Sequence, residues 1–194
     1  MSTEATTLRV AVLPNAGLAT DAVLIAGGAG LIAAAAQLSI ALPFTPVPIT
    51  GQTFAVLLVG ASLGFARGTS SALLYVLLGI AGMPVYAHGA SGWAVITGAS
   101  GGYLLSYPFA SALTGFLAER RWDRTFSSAV GAMLTGNVLI YLVGLPWLAV
   151  VLNTSLEKTL ELGLYPFVPG DMFKLYLAAA ALPGAWKLVG RLKR

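Results

Sequence analysis

The sequence predicts an all-α integral membrane protein with six transmembrane helices and both termini in the cytoplasm, and three observations carry that expectation. The first is composition: 57% of the 194 residues are hydrophobic and only 9% are charged, against about 25% charged in average soluble domains. The mean hydropathy is accordingly +0.84. The second is that apolar stretches recur along the whole chain, most of them near the ~20 residues that cross a ~30 Å hydrocarbon layer. The third is where the basic residues fall. With six spans, Arg9, Arg67, Arg120, Arg121, Arg124, Lys187, Arg191, Lys193 and Arg194 lie on the side of the termini, while the opposite loops hold only Lys158, with Lys174 at a helix start. Cytoplasmic loops are the ones enriched in Lys and Arg. The expected location is therefore the cell (inner, cytoplasmic) membrane, with a multi-pass topology.

Composition excludes several classes of function. The formal charge of +4 and isoelectric point near 9.6 do not imply an anionic polymer as partner, because the basic residues sit at segment ends where topology accounts for them. No basic patch is interleaved with aromatics, so no nucleic acid is expected. The chain has no cysteine and a single histidine, His88, which leaves no thiolate or multi-histidine metal site within one chain; His88 reads as a polar loop residue, with a ligand contact as the alternative. No metal or cofactor is expected. Residues 1–20 lack an apolar core followed by a small-residue cleavage site, so they read as a cytoplasmic tail before a single membrane domain over residues 21–194.

The first span covers residues 21–42, with Gln37 and Ser39 as its internal polar residues. Ala26, Gly30 and Ala34 recur every four positions, a small-residue face that lets helices approach closely in lipid. It either packs within the chain or docks another membrane subunit. The next segment, ALPFTPVPITGQTF, has prolines at 43, 46 and 48, which deny the backbone donors that a helix needs. It is uncharged and mostly apolar. Irregular backbone survives at membrane depth only where protein buries it or it lines a cavity, so it reads as a lid or re-entrant loop, with a rigid connector as the alternative.

The second span has its core at residues 54–65, with Gly60, Gly64 and Gly68 as another close-packing stripe, and the third covers residues 70–85. The connection VYAHGASGWAVITGASGGY carries Tyr86, Trp93 and Tyr103 but no Lys, Arg, Asp or Glu. A long loop that is uncharged yet aromatic is expected to fold over something. The fourth span covers residues 102–118 and the fifth residues 125–151, the latter with Asn137 as the amide in its middle. A buried amide must find partners, either across helices or on a ligand. NTSLEKTLEL, with Leu156, Leu160 and Leu164 at helical spacing, reads as a short surface helix, and the sixth span covers residues 172–188.

The chemistry concentrates in VPGDMFK, residues 168–174, where Asp171 and Lys174 open the last span three residues apart, neighbours on one helical face. Ionisable groups in lipid-facing segments cost roughly 2.5–3.5 kcal/mol at a helix centre, so they face a cavity or a partner. Asp171 as an N-cap and Lys174 snorkelling to the interface is the competing reading. By the topology above, this pair shares the outer face with the Pro-rich and aromatic loops. A carboxylate beside an ammonium suits a small molecule with an amide-like group and apolar bulk.

Signs of catalysis are weak. The pattern G-x-S-x-G occurs around Ser62 and Ser100, but neither offers the strand-to-helix turn of a nucleophile elbow, and the chain is not expected to be an enzyme. It has no Walker A sequence, so any ATPase that energises it belongs to another polypeptide. No span carries the row of acidic residues common in ion-coupled carriers.

The segments PFTPVPITGQTFAVLLVGASLG, GMPVYAHGASGW, GGYLLSYP, GNVLIYLVGLPWL and FVPGDMFKLYLAAAALPGAWK, in this order, resemble the BioY family, the biotin-binding S components of energy-coupling-factor transporters. The resemblance implies a six-helix, high-affinity biotin-binding subunit for uptake, energised by a separate membrane coupling subunit and ATP-binding-cassette ATPases. It implies that Asp171 and Lys174 of the PGDxxK motif contact biotin, that Tyr103 belongs to the site, and that the Pro-rich loop is its lid, with Phe44, Thr45, Val47 and Thr50 as lid residues. Gln52, Asn137 and Trp93 complete the candidate ligand set. The small-residue face of Ala26, Gly30 and Ala34 resembles the surface that meets the coupling subunit. Lys174 is matched either to the ureido carbonyl or to the valerate carboxylate. A subunit for another small vitamin-like solute and a non-transport membrane scaffold are the alternatives.

Overall fold

The computed structural model describes residues 7–15 and 17–192; Lys193 and Arg194, used in the charge count above, lie outside them, as do residues 1–6 of the expected tail. Among the described residues six longer helices form the bundle: α2 (Leu18–Gln37), α3 (Gln52–Leu63), α4 (Phe65–Ile80), α6 (Gly101–Glu119), α7 (Phe126–Leu152) and α9 (Val168–Leu192). Shorter elements are α1 (Leu8–Val12), α5 (Trp93–Thr97), α8 (Leu156–Gly163) and the strands β1 (Ser39–Ile40) and β2 (Ile49–Thr50). By length and composition, α2 and α7 are apolar enough to cross a membrane, while α3 and α4 are shorter apolar helices. Much of the bundle's exterior is apolar: Leu18, Val23, Phe109, Leu142, Val150 and Phe173 are all exposed.

Helix α6 is central, packing against α3, α4 and α7, with α2 against α4 and α9 against α7 and α3. Small residues permit the closest of these contacts. A Cβ on Gly60 would stand 2.5 Å from the Ser111 carbonyl oxygen, and one on Gly68 would stand 2.7 Å from Gly60 Cα, so α3, α4 and α6 meet backbone to backbone. Gly64, at φ 85°, is the single residue between α3 and α4, and its left-handed backbone makes the reversal that an L side chain would strain. The stripe read from the sequence thus serves both packing and turning.

The two ends of the bundle differ in chemistry. At one end Asp21 pairs with Arg9 at 2.6 Å and with Arg67 at 2.7 Å, which joins α1, α2 and α4. Glu119 accepts the Phe65 amide at 2.9 Å, adding the end of α6, and Asp123 in the α6–α7 connection accepts from Trp186 of α9. Within the expected tail, α1 therefore folds against the bundle, with Arg9 buried. The opposite end carries the Pro-rich segment, the aromatic connection, α8 and the start of α9.

Several boundaries differ from expectation for identifiable reasons. Helix α2 stops at Gln37 rather than reaching residue 42, and the Gln37 amide there donates to the carbonyls of Val85 and Tyr86 and accepts from the Gly89 amide. The chain then pairs β1 with β2, Ser39 opposite Thr50 and Ile40 opposite Ile49, so residues 41–48 form a closed hairpin loop. The aromatic connection contains a 3₁₀ turn at Ala87–Gly89 and the helix α5. Helix α9 begins at Val168, with Pro169 in the first turn, where its missing N–H costs nothing. Asp171 is consequently inside the helix and donates its own amide to Phe167 O at 2.8 Å, which removes the N-cap reading. The surface helix appears as α8, started by Ser155, whose hydroxyl accepts from the Lys158 amide.

Candidate functional site

Helix lengths make the site. The 12 residues of α3 rise about 18 Å, whereas the 27 of α7 rise about 40 Å. The short helix leaves a space above its N-terminus that its longer neighbours wall. That space is a cavity of about 230 Å³, on the small side for a ligand pocket, where about 300 Å³ is a usual lower bound. It admits a compact ligand. Val47, Pro48 and Thr50 of the hairpin, Gln52 and Thr53 of α3, and Tyr86 to His88 of the 3₁₀ turn face it, together with Tyr103 and Tyr107 of α6, Tyr141 of α7, and Asp171 and Lys174 of α9.

Asp171 and Lys174 form the charged corner. Lys174 Nζ donates to Asp171 Oδ1 at 3.1 Å, while Oδ2 accepts from Asn137 Nδ2 at 3.3 Å and from the Tyr141 hydroxyl. The carboxylate is 4% exposed, and its three donors fix its direction. Asn137 thereby makes the interhelical bond foreseen for it, and its Oδ1 has no hydrogen-bond partner among the described residues. It faces a narrow cleft behind the cavity, lined also by Thr53, Asp171 and Lys174. Thr53 Oγ1 is likewise buried without a partner. Of the two, Thr53 lines the cavity itself, where its hydroxyl can donate to or accept from a ligand.

Gln52 organises a tyrosine box whose Tyr86 and Tyr107 face the cavity and whose Tyr75 is buried behind them. Gln52 Oε1 accepts from the Thr50 and Tyr107 hydroxyls at 3.0 and 3.1 Å, and its Nε2 bonds the Tyr75 hydroxyl. Tyr75 stacks on Tyr107 with ring centroids 6.5 Å apart, and Tyr86 meets Tyr75 edge-on at 5.6 Å. No side chain fits at Gly79, whose place the Tyr86 ring fills. Tyr103 turns its hydroxyl to Gly163 O at 2.9 Å and leaves its ring as an apolar wall.

The hairpin is tied down from outside. Thr45 Oγ1 donates to Leu162 O of α8 at 2.6 Å and accepts from the Val47 amide at 3.2 Å. Val47 and Thr50 face the cavity, while Phe44 is exposed on the outer side. The structure thus brings Asp171, Lys174, Tyr103, Gln52, Val47 and Thr50 around one space, with Asn137 one layer behind. Trp93 lies outside it, 63% exposed at the start of α5. Ala26, Gly30 and Ala34 are exposed along α2, and the chain's own packing uses Gly28, Ala29, Ile32 and Ala36 on the other face.

Sequence reasoning passed over Tyr75, Tyr107 and Tyr141 and left His88 as a loop residue first and a ligand contact only as the alternative; the structure places it in the cavity lining. A signal existed for two of the tyrosines: Tyr107 is four residues after Tyr103, and Tyr141 four after Asn137, so each extends a polar position along one helical face.

Among the described residues, a helical bundle with an apolar exterior surrounds a solute-sized cavity with a charged corner, which defines the class as an apolar-surfaced helical protein with a small-molecule pocket. The sequence profile of the BioY family matches residues 3–191. The chain is 36% identical over 167 residues to the biotin transporter BioY of Rhizobium etli, covering 82% of this chain and 89% of that one. It is 37% identical over 172 residues to the probable biotin transporter BioY of Pyrococcus horikoshii, covering 89% and 98%. A crystal structure of the S-component for biotin from an ECF-type ABC transporter aligns with a TM-score of 0.79 at 29% identity, over 87% of this chain and 92% of that one. The chain belongs to the BioY family.

Proposed function

We propose that this protein is the biotin-binding subunit of a biotin uptake system, with biotin held in the cavity and its ureido ring at the charged corner. The observation that carries the reading is the Asp171–Lys174 pair, fixed by Tyr141 and Asn137 at the wall of a cavity that is otherwise aromatic and uncharged. Biotin's bicycle is apolar at the thioether and polar at the ureido edge. Asp171 accepts a ureido N–H, Lys174 donates to the carbonyl, and the tyrosine box covers the apolar face. The hairpin over residues 41–48 is the lid.

The same reading takes all six longer helices as membrane spans, with the Arg-rich end cytoplasmic and the cavity open to the outside of the cell membrane. The positive-inside asymmetry supports that orientation. Energy comes from a membrane coupling subunit and its ATPases, and the exposed Ala26–Gly30–Ala34 stripe is where the coupling subunit docks. Calorimetric titration of the purified protein with biotin and a panel of other vitamins tests the ligand. Tight, saturable binding of biotin alone supports the reading, and binding of a different vitamin or of none overturns it.

A further inference from the structure

His88 sits in a conformation that its own side chain disfavours. Its φ is 57°, the left-handed region that glycine enters freely and other L residues reach at a cost. The next residue, Gly89, has φ 70°, so a second glycine would build the turn without strain. The surroundings hold the strained backbone in place. Gln37 accepts from the Gly89 amide at 3.2 Å and donates to Tyr86 O at 3.1 Å, and the Tyr86 amide bonds Ala90 O at 3.0 Å. The imidazole is also fixed, with Nδ1 3.1 Å from Ser39 Oγ. A serine hydroxyl donating to Nδ1 leaves the proton on Nε2, and an imidazolium presents an N–H there as well.

Most other donors around the cavity are committed, Thr53 beside the charged corner being an exception. The hydroxyls of Tyr86, Tyr103, Tyr107 and Tyr141 are spent on Val76 O, Gly163 O, Gln52 and Asp171. Lys174, the one other basic side chain facing the cavity among the described residues, is paired with Asp171 and in the reading above donates to the ureido carbonyl at the far corner. The 3₁₀ turn that carries His88 packs on α2, whereas the charged corner packs on α7 and α3. His88 is exposed where Asp171 is buried, so the imidazole belongs to the mouth of the cavity and a different wall.

We infer that His88 Nε2 is the specificity contact for the free carboxylate of the ligand's acyl chain, and that it makes this protein prefer biotin to biotin derivatives amidated or esterified at that end. The inference rests on the biotin reading above and adds to it which end of the ligand lies at the mouth. A charge-assisted hydrogen bond lost with the carboxylate corresponds to about ten-fold or more in affinity. Ser100 also faces the cavity with a hydroxyl and is the rival donor.

The test measures equilibrium binding of biotin and of biotinamide to the purified full chain and to His88→Gly, His88→Asn and Ser100→Ala. Glycine and asparagine both accept the left-handed backbone, so both variants are expected to fold. The expected result is a wild-type preference for biotin of about ten-fold or more. That preference disappears in both His88 variants through loss of biotin affinity, with biotinamide affinity unchanged, and persists in Ser100→Ala. Equal wild-type affinity for the two ligands, an unchanged preference in the His88 variants, or loss of the preference in Ser100→Ala alone overturns the inference while leaving the biotin reading intact. A wild-type protein that binds neither ligand overturns the biotin reading itself.

Discussion

Asp171→Asn is the perturbation that probes the charged corner most selectively, because it changes one atom type and almost no volume. In the wild type, Asp171 offers two anionic oxygens to Lys174, Asn137 and Tyr141. An asparagine offers one oxygen and an NH₂ that faces at least one of the same donors. The ion pair at 3.1 Å is lost, and Lys174, whose side chain is 18% exposed, is left without its carboxylate partner. A ureido N–H of biotin meanwhile meets a neutral or donating group in place of an anion. A hydrogen bond to a charged group contributes about 1.5–3 kcal/mol, so affinity falls roughly ten- to hundred-fold. Calorimetry on detergent-purified protein reads the change. The double variant Asp171→Asn/Lys174→Gln loses less than the sum of the single variants, since both residues act on one ring and on each other. Affinity within about two-fold of wild type for Asp171→Asn, a negligible free-energy change, refutes the assignment of the corner.

Three further outcomes are expected. Thr45→Val removes the bonds that tie the hairpin to α8 and to Val47; at about 0.5–1.5 kcal/mol each, their loss speeds biotin release roughly ten-fold, and an unchanged exchange rate of labelled biotin counts against a lid. Gly30→Leu and Ala34→Leu, at positions exposed on α2, spare biotin binding and weaken co-purification of the coupling subunit; undiminished co-purification argues against docking there. Asp123 is fully buried, and burial raises its carboxyl above the ordinary value despite the Trp186 hydrogen bond and Arg124. The folded state therefore holds the proton more tightly than the unfolded chain. Its contribution is greatest below the unfolded value near 3.8 and is lost as pH rises through the folded one. Thermal melts from acid to neutral pH should show that Asp123→Asn lacks this component, and an identical slope contradicts it.

The helical class, the order of the elements and the charged pair were legible because each leaves a local trace: long apolar runs, glycines at spacing four, and two charges where charge is costly. The cavity's shape was not legible, since it arises from the shortness of α3 relative to α7 and α9 and from a hairpin that closes only when Ser39 meets Thr50. Gln52 was a candidate through resemblance, yet its role as organiser of Tyr75 and Tyr107 depends on α4 and α6 meeting α3, a non-local fact. His88 looked like an ordinary loop residue because neither its left-handed backbone nor its bond to Ser39, 49 positions away, is written in the adjacent sequence. Asp171 looked like a cap for the opposite reason: the local pattern PGD fits a helix start, but the helix begins a turn earlier.

The most direct test of the central claim is a structure of the biotin-saturated protein. The account predicts biotin inside the cavity beneath the hairpin, with its ureido ring within about 2.7–3.2 Å of Asp171 and Lys174 and the tyrosine box against its apolar face. Biotin bound elsewhere on the protein, or inside the cavity with its ureido ring turned away from that pair, contradicts it.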